Sequence, residues 1–223
     1  MEESKLVVII PAFNEEKTIG NVICKIKDVA SVLVVDDYSS DNTRKISIKA
    51  GAKVITNNKN LGYEKSLNIG FYSAIHDLDA FAVVTMDADG EHDGENIETF
   101  KRLLIDDGVP LVFGKRKEIY RLSEKLIGFL MYKFFKISDI FCGMKGYNSK
   151  IWLKRGYFDR GNCVGAELAL SAVRGGAKFT ELEVTGKKRI DDARFGYGLT
   201  VTHRLIKAIL ISLMSKKILF NDD

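Results

Sequence analysis

Proline is nearly absent from this chain, with two in 223 residues. No linker rich in Pro, Gly or Ser, no repeat and no low-complexity tract interrupts it. That excludes a string of tethered modules, and disorder is expected only at the two ends. Cysteine is scarce: Cys24, Cys142 and Cys163 are odd in number, widely spaced and form no CxxC pair. Neither a disulfide framework nor a cysteine zinc site follows, and a reducing compartment is expected. No stretch approaches the ~18 uncharged apolar residues that span a bilayer. The most apolar region, residues 205–220, is broken by Lys207, Lys216 and Lys217. Residues 1–5 have no signal-peptide layout, so a cytoplasmic location is expected. Charge of one sign is not in large excess. The net charge of +4 suits an anionic substrate or a lipid surface, and is too weakly clustered for a nucleic-acid footprint.

What is present is ordinary folded-protein composition, 46% hydrophobic and 29% charged, in a length that suits a single catalytic domain spanning residues 1–223. Apolar runs at residues 6–10, 31–35, 53–55, 80–86 and 110–113 read as strands. Helical stretches are expected to about residue 28, from Asp41-Asn42-Thr43 to Gly51, over 63–76 and over 95–106. Alternating strands and helices predict an α/β fold with a mainly parallel central sheet and helices on both faces. The second half differs. Residues 120–136 form a basic amphipathic helix, 139–147 a turn-rich segment, 164–173 a helix, 178–184 a strand and 198–215 a last amphipathic helix. We read about 5–115 as a nucleotide side and about 116–223 as an acceptor side.

Ligands of such sheets lie beyond the carboxyl ends of the strands. Polar groups follow each run there: Pro11-Ala12-Phe13-Asn14-Glu15-Glu16, Asp36-Asp37, residues 57–62, and Asp87-Ala88-Asp89-Gly90-Glu91-His92. Alternate residues of an extended chain point the same way, so Asp87, Asp89 and Glu91 could share one hard divalent cation, Mg²⁺ or Mn²⁺, with substrate phosphates. Two other readings compete. Residues 87–98 imitate a calcium loop, but His92 stands where the turn needs Gly and a strand precedes it. A solvated acidic turn explains a lone triplet, but not its placement among three other polar strand ends.

Four motifs in order, Val8-Ile9-Ile10-Pro11-Ala12-Phe13-Asn14-Glu15-Glu16, Val34-Val35-Asp36-Asp37-Tyr38-Ser39-Ser40-Asp41, Asn60-Leu61-Gly62-Tyr63 and Met86-Asp87-Ala88-Asp89, resemble the inverting family-two glycosyltransferases of GT-A fold. Gly114-Lys115-Arg116, Arg121-Leu122-Ser123, Asp139 to Gly146, Glu167 and Arg189 are similar to its polyprenyl-phosphate branch, typified by dolichol-phosphate mannose synthase. The chain departs from that branch at Asp191-Asp192-Ala193-Arg194, where a Gly-x-Ser-Lys is usual, and the C-terminal membrane-spanning helices of many members are not expected in residues 1–223.

The resemblance implies Pro11, Phe13, Glu15, Asp36, Asp37, Asp87 and Ala88 at the donor nucleotide. It puts Asp87, Asp89 and Glu91 on the metal, and Asp89, Arg116 and Glu167 at the catalytic centre. Arg116, Arg121, Ser123, Arg189 and Arg194 fall at the diphosphate or acceptor phosphate. The implied reaction moves a sugar from a GDP- or UDP-sugar to a polyprenyl phosphate, with inversion, at the cytoplasmic membrane face. A phosphomonoester carries about −1.5 to −2 charge and needs alignment more than a base, whereas a hydroxyl acceptor needs one. Glu167 reads equally as a buried acid near the acceptor or a helix-surface charge, Trp152 as packing, and the 120–136 helix as core or as a membrane-interface element. The tail offers a surface for a second subunit. Rival functions are transfer to a hydroxyl, though no Gln-x-x-Arg-Trp occurs, and a catalytically silent nucleotide- or lipid-binding module. A nucleotidyltransferase is disfavoured because no Gly-rich phosphate loop follows the first strand.

Overall fold

The computed structural model describes residues 6–90, 94–117, 122–163, 165–184 and 199–220. Seven strands form one sheet in the order β3-β2-β1-β4-β6-β5-β7. They are β1 Leu6–Ala12, β2 Ser31–Asp36, β3 Lys53–Thr56, β4 Ala82–Thr85, β5 Leu111–Arg116, β6 Lys145–Asn148 and β7 Phe179–Val184. β1 to β4 are mutually parallel, β5 and β7 are parallel, and β6 runs against both of its neighbours. The helices are α1 Ile19–Ile26, α2 Thr43–Ala50, α3 Tyr63–His76, α4 Asn96–Lys101, α5 Leu122–Phe135, α6 Ser149–Arg155, α7 Glu167–Arg174 and α8 Leu199–Met214. α4 runs on into a π-helical turn, Arg102–Asp106.

Strand alternation divides the core between the two faces. Val7, Ile9, Leu33 and Val35 pack with Leu67 and Phe71 of α3 and Leu168 and Leu170 of α7. Leu6, Val8, Ile10, Val32 and Val34 pack with Ile19, Val22, Ile23 and Ile26 of α1. The expected mainly parallel α/β sheet is therefore present.

Several boundaries differ from expectation for identifiable reasons. β1 does not stop before Pro11 but runs through it. Ile9 and Pro11 face β4, which has already ended at Thr85, so the missing proline N–H costs no ladder bond there. Asp41 is not in the first turn of α2. It precedes the helix, and its Oδ1 accepts from the Thr43 amide at 2.9 Å. Gly51 does close α2, in the left-handed conformation at φ 103°. The turn-rich segment 139–147 hides β6, because Gly143 and Gly146 dilute the strand pattern. A Cβ on Gly146 would lie 2.7 Å from Leu104 and 2.8 Å from Phe100, so packing against α4 requires the glycine. α6 also escaped the sequence reading.

The polarity of β6 places functional groups. Lys145, its first residue, pairs with Thr85 at the end of β4 and with Phe113 of β5. The approach to β6 therefore arrives at the same sheet edge where β1, β2, β4 and β5 finish.

Candidate active site at the carboxyl edge of the sheet

The loops after β1 and β2 are knitted together. Asn14, at φ 53°, donates its amide to Ser39 Oγ at 2.9 Å and accepts from the Ser40 amide at 2.8 Å. Glu16 accepts from the Asn42 amide at 3.1 Å, and its own amide donates to Asp41. The Glu15 amide donates to buried Thr43 Oγ1 at 2.7 Å. Two non-glycine residues in the left-handed region, Asn14 and Tyr38, sit in these loops. Such strain persists only where the surroundings over-determine it.

The acids of this edge have different duties. Asp37 is buried and accepts three hydrogen bonds of 2.8 Å, from Asn57 Nδ2 and the amides of Leu61 and Gly62. It anchors the 57–62 segment, which delivers α3. Asp36, also buried, accepts from the Ser39 amide at 3.3 Å. Glu15 accepts from Thr18 Oγ1 at 3.0 Å. Pro11 and Phe13 are half-buried beside them. Ala88 turns its side chain into the α1-side core, so only its main chain can meet a ligand.

Asp87 and Asp89 do not lie on the extended strand that their spacing predicts. β4 ends at Thr85, the chain turns at Ala88 and Asp89, and Gly90 takes φ 76°. The two carboxylates are brought to the edge by a turn, not by an extended strand. Both are half-buried. Asp87 Oδ1 accepts from Tyr63 Oη at 3.3 Å. Burial, and then the neighbouring Asp87, push the Tyr63 phenol well above its ordinary pKa, so it stays a donor. Gly143 lies directly over Asp87: a Cβ there would come within 2.9 Å of Oδ1 and run into Oδ2. Thr85 Oγ1 ties the Gly143 carbonyl down at 2.7 Å. Two hard carboxylates at a fitted edge suit Mg²⁺ or Mn²⁺. Glu91, His92, Arg121, Arg189 and Arg194 lie outside the described residues.

Beyond β5, Arg116 donates Nε to Asp139 at 2.7 Å and Nη2 to Glu124 at 2.8 Å and to Asp139 at 2.9 Å. Burial opposes its charge, but Asp139 and Glu124 outweigh it and hold the guanidinium further above its ordinary value. Ser123 is half-buried in the first turn of α5, next to Glu124. Burial pushes the Cys142 thiol up to about 12, so it carries no nucleophilic chemistry.

Glu167 is a buried acid rather than a surface charge. Arg155 Nη2 donates to it at 2.5 Å, with both side chains under 5% exposed, and the Arg160 and Gly161 amides add bonds of 2.8 and 3.3 Å. Asp159 beside it accepts from the Cys163 amide at 2.9 Å, and burial raises its pKa to about 6. Trp152 packs in the core. No role was assigned from the sequence to Tyr63, Asp139, Lys145, Arg155 or Asp159, which the structure places against the predicted residues or beside them. Asp139 and Lys145 stand in a quoted motif, but nothing in a sequence separates a buried lysine from a solvated one.

Known proteins are similar to this chain in sequence and in fold. The chain is 27% identical over 223 residues to a dolichyl-phosphate hexose transferase of Haloferax volcanii, covering 92% of this chain and 94% of that one. It is 28% identical over 180 residues to the UDP-N-acetylglucosamine–dolichyl-phosphate N-acetylglucosaminyltransferase of Methanococcus voltae, covering 66% and 71%. Glucosyl-3-phosphoglycerate synthase of Mycobacterium tuberculosis, solved with Mn²⁺, UDP and phosphoglyceric acid, superposes with a TM-score of 0.74 at 18% identity, over 93% of this chain and 78% of that one. That likeness establishes the GT-A fold. The model of glycosyl transferase family 2 matches residues 7–155, which hold Glu15, Asp36, Asp37, Asp87, Asp89 and Asp139 but not Asp159 or Glu167, and the chain belongs to that family.

Proposed function

We propose that the protein is a divalent-cation-dependent, inverting glycosyltransferase that moves a sugar from a nucleoside-diphosphate sugar to a polyprenyl phosphate. Glu167 carries the choice of acceptor. It is the acid expected at the acceptor, and its oxygens are committed to Arg155 and to the Arg160 and Gly161 amides. A carboxylate so occupied is a poor general base, and a hydroxyl acceptor needs a good one. A phosphate monoester is already a nucleophile and needs only orientation and countercharge. Two relatives bear dolichyl-phosphate transferase names, which supports the same class.

In this reading Asp36 and Glu15 meet the nucleoside, and Tyr63 and Gly143 orient Asp87. Asp87 and Asp89 hold the cation, and Glu91 is assigned to it with them. The cation supplies neutralisation of the departing nucleoside diphosphate. Arg116, held by Asp139 and Glu124 at the end of β5, is assigned to the phosphates with Ser123, Arg121, Arg189 and Arg194.

The outer side of α5 fits a lipid-borne acceptor. Phe129 and Phe134 are 65% and 68% exposed, Leu126 and Tyr132 are also open, and Lys125, Lys133 and Lys136 lie among them. Helix α8 adds exposed Ile206, Leu210 and Met214. Exposed aromatics interleaved with lysines suit shallow insertion at an anionic membrane surface. Among the described residues no helix is long and apolar enough to cross a membrane.

The test is incubation with Mn²⁺ or Mg²⁺, a panel of UDP- and GDP-sugars and a short polyprenyl phosphate, with products read by mass spectrometry. A lipid-phosphate sugar, absent with Asp89→Ala, is the expected result. Donor turnover without lipid product, and a product when hydroxyl acceptors are supplied, would transfer the assignment to a hydroxyl acceptor.

A further inference from the structure

Arg160 lies in the segment between α6 and α7, and its side chain is exposed. Its main chain is already committed, since the Arg160 amide donates to Glu167 Oε2 at 2.8 Å. Two contacts tie this segment to the sheet edge. Asn68, on the helix that begins at Tyr63, accepts from the Phe158 amide at 2.7 Å and donates to the Asp159 carbonyl at 2.6 Å. Further on, a Cβ on Gly165 would lie 3.8 Å from Lys145 Nζ. That ammonium donates at 2.5 Å to the carbonyl of Cys142, the residue before the Gly143 that covers Asp87.

The Arg160 guanidinium is ordered but not neutralised. Its central carbon lies 3.9 Å from the centroid of the Tyr157 ring. A cation stacked on an aromatic face keeps its charge, and its N–H donors stay open to a ligand. Among the described residues no carboxylate pairs with it. The neighbouring guanidiniums differ. Arg155 stacks on the same ring at 4.3 Å, but its Nη2 is closed on Glu167. Arg116 is shared between Asp139 and Glu124. An exposed stack adds little to stability, so the fold alone does not account for a fork held in this way. A guanidinium fork matches two oxygens of one phosphate.

We propose that Arg160 binds the phosphate of the acceptor, and that its charge favours a phosphorylated acceptor over an alcohol. The proposal rests on the reading of Glu167 as the acid at the acceptor, because the Arg160 amide holds that acid. A phosphate monoester brings about −1.5 to −2 charge toward that carboxylate. Arg155 already pairs with Glu167, so a second cation beside the pair is what turns the approach attractive. An alcohol carries no charge and gains nothing from it.

The experiment is steady-state kinetics on wild type, Arg160→Gln and Arg160→Lys, after a thermal melt establishes that each is folded. A short polyprenyl phosphate is varied at saturating donor, and the donor is varied at saturating lipid. Arg160→Gln should raise KM for the lipid phosphate about tenfold, the loss of one charge-assisted hydrogen bond, and leave kcat and the donor KM within about threefold. Arg160→Lys keeps the charge and loses the fork, so its KM should fall between the other two. Inhibition by the matching polyprenol, which has no phosphate, should be the same in all three. An unchanged lipid-phosphate KM in Arg160→Gln would overturn the proposal. So would Arg160→Lys as poor as Arg160→Gln, which would show that the charge is not what acts. A rise in the donor KM instead would give Arg160 to the diphosphate, and weaker inhibition by the polyprenol would give it to the lipid chain, and either overturns it. Wild type that makes no lipid-phosphate sugar would sink the polyprenyl-phosphate reading, and this proposal with it. Active wild type with an indistinguishable Arg160→Gln sinks this proposal alone.

Discussion

Asp36 and Asp37, on the β1–β4 side, are held by backbone amides and small polar side chains, whereas Asp139, Glu124 and Glu167, on the β5–β7 side, are each held by a basic side chain. Asp37 gathers the amides of Leu61 and Gly62, and Asp36 takes that of Ser39. Across the sheet, Asp139 and Glu124 share Arg116, and Glu167 is closed by Arg155. A carboxylate held by amides keeps its negative charge uncancelled and can attract a cation or meet a sugar nucleotide. One held by a guanidinium is neutralised and serves architecture. On the proposed function, the β1–β4 side is the donor side and presents charge to its ligand, and the β5–β7 side is the acceptor side and conceals charge in its core.

That contrast predicts opposite consequences for removing an acid from either side. The largest effect is on the donor side. Asp89→Ala should lower the transfer rate by about a thousandfold, because the diphosphate loses its countercharge, while the melting temperature moves little. A comparable loss of stability in urea melts would show that Asp89 serves the fold, and the contrast would fail. On the acceptor side, Arg155→Met leaves the Glu167 carboxylate buried without its partner. It should cost about 3–5 kcal/mol of stability in urea melts, and adding Glu167→Leu should recover most of that loss. An additive double variant would mean that the pair is not a closed unit.

Asp159 sharpens the comparison through pH. Its folded pKa, about 6, lies above the ordinary 3.8, so the folded protein holds the proton more tightly than the unfolded chain. Its contribution is most favourable below pH 4, falls as pH rises from about 4 to about 6, and is level above that. The span is about 3 kcal/mol at most. Asp159→Asn has no such titration, so its stability relative to wild type should improve across that interval. A constant difference from pH 4.5 to 7 would show that Asp159 keeps its ordinary value.

The smallest effect on the fold belongs to α5. Phe129→Ser with Phe134→Ser should change stability by no more than about 0.5 kcal/mol per site, since both rings are exposed. Cosedimentation with anionic vesicles should fall clearly. Unchanged sedimentation would remove the membrane reading of this helix.

The donor side was largely legible in the sequence because local chemistry writes it. A buried strand followed by a polar loop is a short-range pattern, and Asp36, Asp37, Asp87 and Asp89 all appear at the residue where the pattern predicts them. What failed there was geometry. The spacing of Asp87 and Asp89 suggested an extended chain, and the structure uses a turn opened by Gly90. The acceptor side was less legible because its organising pairs are distant in sequence. Arg116 with Asp139, and Tyr63 with Asp87, are joined only by folding. The alternative left open for Glu167 could be settled only by finding Arg155 against it. The loss of β6 to a turn reading has the same origin, since its glycines answer to Phe100 and Leu104 of another element.

The direction of β6 has a consequence for how such a protein can diversify. Because this strand enters the sheet at the ligand edge, the segment before it can be rewritten by a lineage without altering β1, β2 or β4. On the proposed function, acceptor preference can thus drift while donor recognition stays fixed. Position 143 is where that independence stops, because any side chain larger than hydrogen would displace Asp87. A single hydrogen atom couples the histories of two otherwise separable surfaces.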